Sequence, residues 1–108
     1  MGEITKNEEI LLIVIFRLED IAYGVQIKKL IFDITGKNWN YGTLYCTLDQ
    51  LVKKGLAQKK TGEPLPERGG RRKIFYKLTS EGVHQLKSVF QIQQALWEGI
   101  SDLKFSKG

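Results

Sequence analysis

The sequence predicts a mainly α-helical fold with one small two-stranded β element and a long last helix. Three observations carry that expectation. Apolar residues recur at helical spacing in four separate stretches. Both prolines of the chain fall in one glycine-rich, basic loop between two short alternating stretches. The last helical pattern presents more apolar surface than the rest of so short a chain can cover. At 108 residues a single domain is expected, and 42% hydrophobic residues support a small core.

Thr5-Lys6-Asn7-Glu8 has the spacing of a capping box, a hydroxyl cap followed three residues later by a carboxylate that reaches back. The helix it opens runs to about Leu18, and Glu19-Asp20 ends it. Its stretch from Ile10 to Phe16 is apolar all round and must be covered on several sides. That run is far short of the roughly 20 residues needed to span a bilayer. Glu8 and Glu9 flank it and no positively charged segment precedes it, so no membrane anchor or secretory signal is expected. A cytoplasmic protein is the expectation.

A second helix fits Tyr23 to Thr35, with Ile27, Leu30, Ile31 and Ile34 as one buried stripe and Gly36 as its C-terminal cap. A third fits Tyr41 to Lys54, with Asn40 as N-cap and Gly55 as its stop. Its inner stripe is Leu44, Leu48, Leu51 and Val52. Gly42, Thr43, Cys46, Gln50 and Lys53 fall on the opposite face, with Tyr45 and Thr47 on the flanks. Trp39, just before this helix, is expected to plug the core beneath it. Leu56–Thr61 and Arg72–Leu78 alternate as short strands. The segment 62–71 between them is too long for a tight hairpin turn and reads as a projecting basic loop. Thr79-Ser80-Glu81 opens a last helix expected to reach Asp102 or Leu103, about 24 residues and roughly 36 Å. One apolar stripe on it is Val83, Leu86, Phe90, Trp97 and Ile100; the other is Val89, Ile92, Leu96 and Leu103. The surplus points to packing on a second chain.

Three helices, a strand, a basic loop, a strand and a long helix make the order of a winged helix-turn-helix. In that architecture the third helix enters the major groove and the loop lies along the backbone or in the minor groove. The charge distribution agrees. Residues 53–77 hold Lys53, Lys54, Lys59, Lys60, Arg68, Arg71, Arg72, Lys73 and Lys77 against Glu63 and Glu67, so more than the whole formal net charge of +5 lies there. A neutral-to-acidic body with one basic segment suits a polyanion.

Arg71, Arg72 and Lys73 lead as phosphate ligands, with Arg68 next. Gly69 and Gly70 let the backbone approach a duplex without a Cβ in the way. On the third helix, Thr43 suits a thymine methyl or an acceptor, and Gln50 suits adenine. Gly42, Cys46 and Lys53 share that face. Tyr45 suits a phosphate or sugar, as do Tyr23 and Tyr41 at helix starts. Asp49 has the wrong sign for DNA and is expected to pair with Lys53 four residues on.

Other chemistry has little material. One Cys closes no intrachain disulfide, and one Cys with one His is short of an ordinary zinc site. Cys46 and His84 lie a whole element apart with no third group to orient them. No paired carboxylates or phosphate loop is present, so neither an enzyme nor a cofactor is expected. The rival to a DNA-binding protein is a winged-helix adaptor that sets its basic wing on a protein or anionic surface and reads no base. The small, polar outer face of the third helix favours DNA, because a protein-binding face should carry an apolar anchor.

Four fragments, in order and at their spacing, resemble the PadR family of bacterial transcriptional regulators. They are Ala22-Tyr23-Gly24-Val25-Gln26-Ile27, then Gly42-Thr43-Leu44-Tyr45, then Leu48-Asp49-Gln50-Leu51 before Lys54-Gly55-Leu56, and the run from Gly62 to Lys73 closed by Tyr76-Lys77-Leu78-Thr79 and Gly82. The single C-terminal helix resembles the short subfamily. Where many members carry Pro after the Gly-Thr-Leu-Tyr signature, this chain has Cys46. The resemblance implies a homodimeric, usually repressive protein on a pseudo-palindromic operator, paired through its first and last helices. Ile10, Ile13, Val89, Ile92, Leu96, Trp97 and Ile100 are the expected interface. It also implies a small hydrophobic or aromatic effector: drug-binding members place a Trp of the last helix in a central cavity, a position that falls on Gln93 here, one turn before Trp97. Residues 1–78 are then the DNA-binding part and 79–108 the dimerisation helix, within one compact domain.

Overall fold

The computed structural model describes residues 3–19, 22–64 and 72–100, with residues 63, 64, 72 and 73 described by their backbone only. Helix α1 (Lys6–Leu18) opens on the expected capping box. The Thr5 hydroxyl accepts the Glu8 N–H at 3.1 Å, and the Thr5 N–H donates to Glu8 Oε1 at 2.9 Å. Its C-cap residue, Glu19, takes a positive φ of 51°. Leu11, Leu12, Val14 and Ile15 are buried, each such side chain contributing about 2 kcal/mol relative to exposure to water. The apolar run is covered on several sides, as expected, by the three other helices and a strand. Ile13 and Phe16 remain 40% and 55% exposed, because the last helix stands off from them across an open groove.

Helix α2 (Gly24–Thr35) begins one residue later than the sequence pattern implies. Tyr23 is its N-cap residue, held in extended backbone by an isolated bridge to Phe75. Gly36, at φ 73°, closes the helix as expected. Ile27 and Ile31 are buried and Leu30 partly so, but Ile34 is exposed. The core ends at Ile31, one turn before the helix does. Helix α3 (Tyr41–Lys53) buries Leu44, Leu48 and Leu51, with Val52 at the core's edge and Trp39 packed against it from below.

Strand β1 (Ala57–Pro64) pairs antiparallel with β2 (Arg72–Leu78), from Ala57 opposite Leu78 to Pro64 opposite Arg72. β1 starts and ends later than the alternation implies. Leu56 is a buried turn residue, whose N–H donates to the Leu51 carbonyl. A register shift between Thr61 and Pro64 takes Gly62 and Glu63 into the strand, so residues 62–64 belong to β1 and not to the loop.

Helix α4 (Ser80–Trp97) is 18 residues long, about 27 Å, and stops short of the expected Asp102. The apolar periodicity continues to Ile100, but the backbone leaves the helix at Glu98, where ψ is 133°, and Gly99 follows at φ 83°. The start of α4 is clamped to the α3–β1 turn. The Thr79 N–H donates to the Leu56 carbonyl at 3.0 Å, and the Thr79 hydroxyl donates to the Gly55 carbonyl at 2.6 Å and accepts the Gly82 N–H at 2.9 Å. Gly82 lies so close to the Leu56 carbonyl that a Cβ there would collide with it.

One ion pair closes the opposite side. Lys54 Nζ meets Glu8 Oε1 at 2.7 Å and the Glu3 carbonyl at 2.8 Å. Glu8 is the one buried charged residue among those described. Lys54→Met leaves its carboxylate buried without a cation and should destabilise the fold by about 2–3 kcal/mol, below the range for fully enclosed pairs because the Lys54 side chain is 24% exposed. Adding Glu8→Gln should recover most of that loss. Midpoints of urea denaturation for the single and double variants check both outcomes.

Candidate nucleic-acid interface

The outer face of α3 is built by its cap and its core stripe. Asn40 Oδ1 accepts the Thr43 N–H at 2.7 Å, which fixes the first turn. With Leu44, Leu48 and Leu51 turned inward, Gly42, Thr43, Cys46, Gln50 and Lys53 are all exposed, on the face assigned to them by periodicity. The pair expected between Asp49 and Lys53 does not form, whereas Lys6–Glu9, Lys29–Asp33 and Lys54–Glu8 do pair. Both side chains are exposed, where a one-turn pair gains little over solvation.

Two tyrosines flank this face. Tyr41 and Tyr45 are stacked, with ring centroids 6.0 Å apart and planes at 19°. Lys28 of α2 places its ammonium 5.2 Å from the Tyr41 ring centroid and donates to Asn38 Oδ1 at 2.8 Å. The Tyr45 hydroxyl rests against Gly24, where a Cβ would overlap it. Tyr23 is half-buried and turns its ring edge-on to Phe75 at 5.8 Å. Sequence reasoning does not single out Lys28. Its one available signal is its position four residues after Gly24, on the α2 face that meets α3.

The basic segment adjoins α3 through β1 and β2. Lys59 and Lys60 are exposed on β1. Arg72 and Lys73 lie on β2 by their backbone. Arg68, Gly69, Gly70 and Arg71 lie outside the described residues. Tyr76, on the same strand, is buried beneath α3. Burial, reinforced by the charges of Asp49 and Tyr45, pushes its phenol from the usual 10.0 up to about 12.

A groove of about 510 Å³ separates α1 from α4. Ile13, Phe16, Val83, Leu86, Val89 and Phe90 line it, with Glu9, Lys87 and Gln93 at its polar margin. Gln93 therefore faces the groove, whereas Trp97 does not line it but donates from its indole N–H to Gln93 Oε1 at 3.2 Å. Ile10 and Val89 are half-buried, and Ile92, Leu96, Trp97 and Ile100 are exposed. Leu103 lies outside the described residues. Among the described residues no helix is long and apolar enough to cross a membrane.

A capped helix with a small, polar outer face, set beside a two-stranded basic β element, defines a winged-helix DNA-binding protein. The chain belongs to the PadR-like family of transcriptional regulators, whose family model matches residues 11–88. It is similar in structure to RosR of H. salinarum, with 28% identity and a TM-score of 0.71 over 96% of this chain and 86% of that one. It is likewise similar to a PadR family transcriptional regulator from Eggerthella lenta, with 25% identity and a TM-score of 0.67 over 90% of this chain and 82% of that one. A PadR-like transcriptional regulator from Bacillus cereus shares the fold at 20% identity, with a TM-score of 0.73 over 90% and 89% of the two chains. No protein of curated function matches the chain by sequence.

The Tyr76 phenol supplies a test of how the wing is seated. In the unfolded chain it ionises near 10 and in the folded protein near 12, so the folded state holds its proton longer. The stability this contributes is complete below pH 10 and declines as pH rises from 10 to 12. Tyr76→Phe should show a shallower alkaline loss than the parent across that window, measured by denaturant titration at closely spaced pH.

Proposed function

We propose that this chain is a homodimeric repressor of transcription that binds a pseudo-palindromic operator, and that a small hydrophobic or aromatic compound releases it. In this reading α3 lies in the major groove, where Thr43 and Gln50 meet base edges and Gly42, Cys46 and Lys53 border them. Tyr23, Tyr41 and Tyr45 hold the backbone. Arg68, Gly70, Arg71, Arg72 and Lys73 set the wing on phosphates or in the minor groove. Residues 1–78 make up the DNA-binding part and 79–108 the dimerising part.

The observation that carries the reading is the exposed face of α3, small and polar from Gly42 to Lys53, next to a strand with exposed Lys59 and Lys60. Such a face admits a groove edge, and its large exposed side chains, Tyr41 and Tyr45, stand on its flank and not at its centre, where a protein-binding face should carry its anchor. Membership of the PadR-like family supports the regulatory role. Dimerisation is supported by Ile92, Leu96 and Trp97, which are 56%, 65% and 50% exposed on one helix. The apolar groove between α1 and α4 supports the effector.

Selection from a randomised duplex pool should yield an operator with two half-sites related by two-fold symmetry, about 34 Å apart or a multiple of it. Titrations on that operator and on random DNA, at several salt concentrations, should then separate wing from helix. Arg71→Ala with Arg72→Ala should weaken both DNAs and lower the slope of log K against log salt by roughly 0.9 for each phosphate no longer neutralised. Thr43→Ala or Gln50→Ala should instead lower the preference for the operator by about 1–3 kcal/mol, with little change in slope. A full salt slope in the wing double variant would move the adaptor reading ahead.

Cys46 offers an independent readout. Its thiol is exposed on the face assigned to the groove, so a maleimide should label the free protein readily. Saturating operator duplex should suppress that labelling, followed by mass spectrometry over time. Undiminished labelling of the bound protein would remove α3 from the groove.

A further inference from the structure

Helices α2 and α3 are joined by a closed bracket of side chains. Gly24 and Lys28 stand one turn apart on α2, and Tyr41 and Tyr45 stand one turn apart on α3. The Tyr45 hydroxyl is seated on Gly24. The Lys28 ammonium is over the Tyr41 ring at 5.2 Å, and the two rings are stacked on each other. Lys28 also reaches across the interhelical turn to Asn38 Oδ1, 2.8 Å away. Two points on one helix therefore hold two points on the next, and the turn between them is tied to the same ammonium.

A lysine serving only as a phosphate ligand would extend into solvent. Lys28 is half-buried, and its ammonium is committed to an amide oxygen and an aromatic face. At the Tyr41 end of the bracket the core gives no hold, because Tyr41 is exposed and precedes the first core residue of α3, Leu44; besides the Asn40 cap and the stack on Tyr45, Lys28 is what ties this end to α2. We propose that Lys28 is a positioning residue for sequence reading. Through Tyr41 and Asn38 it fixes the tilt of the first turn of α3, and so the place at which Thr43 meets a base, without itself touching DNA. This rests on α3 being the reading helix.

The test compares the parent protein with Lys28→Met, Lys28→Arg, Asn38→Ala and Thr43→Ala on the selected operator and on random duplex. Methionine keeps the apolar stem over the Tyr41 ring and removes the charge and the donor. Lys28→Met should bind random DNA with an unaltered salt slope, while its preference for the operator falls about tenfold, the size of one modest base contact. Lys28→Arg should restore the preference, since a guanidinium both stacks on a ring and donates to an amide. Asn38→Ala should lose part of it, which keeps the inference testable should Lys28→Met fold poorly. Weakening on both DNAs with a slope lowered by about 0.9 would make Lys28 a phosphate ligand and overturn the proposal. Preference reduced in Thr43→Ala but kept in Lys28→Met and Asn38→Ala would overturn it and leave α3 as the reader. Preference kept in all of them would overturn the reading of α3 and this inference with it.

Discussion

Everything in this protein is arranged around the need to bury one helix. Helix α1 carries the longest apolar run of the sequence, and α2, α3, α4 and β2 all pack against it. Leu11, Leu12 and Ile15 reach essentially zero exposure, which no other helix achieves with residues so close together in sequence. That crowding forces the one buried charge among the described residues. The first turn of α1 meets the end of α3, so the carboxylate that caps the helix is enclosed and needs both the Thr5 N–H and the Lys54 ammonium. A residue placed for a local purpose thus acquires a second, long-range one.

Helix α3 is consequently held at both ends by unlike means. At its start the restraint is local and exposed: an Asn40 cap, two stacked rings and an ammonium laid over one of them. At its end the restraint falls on main chain, with the Gly55 carbonyl taken up by the Thr79 hydroxyl, the Leu56 carbonyl by the Thr79 N–H, and buried Gly82 pressed close behind. The second kind of restraint tolerates little variation, since a side chain at position 82 would displace main chain. The first kind can be adjusted one side chain at a time, and it lies where contact with bases would be made.

What could be read from the sequence follows the same division between local and distant. The Thr5, Asn40 and Thr79 caps and the Gly36 stop were legible because each is decided within four residues by a hydroxyl, an amide or a missing Cβ. The exposed face of α3 was legible because three leucines fix the helix's rotation. The end of α4 was not, because Ile100 and Leu103 continue the apolar period past Gly99, and periodicity outweighed the glycine. Ile34 misled for a similar reason: a stripe shows which side of a helix is apolar, not how far its neighbours extend. Lys54 on Glu8 spans 46 positions, and no spacing rule joins such partners. The Lys28 bracket depends on ring orientations that only the folded chain defines.

The clamp at Leu56 anchors the start of α4 beside the end of α3. From that anchor α4 extends about 27 Å. A tilt of about 10° at the clamp displaces the far end, where Trp97 sits, by roughly 5 Å over that length. The groove against α1 lies along the middle of this arm. Anything wedged there acts with about half the arm's length, trading distance for angle. One helix therefore carries both a wall of the apolar groove and the clamp that abuts the end of α3, so the two lie within a single continuous element.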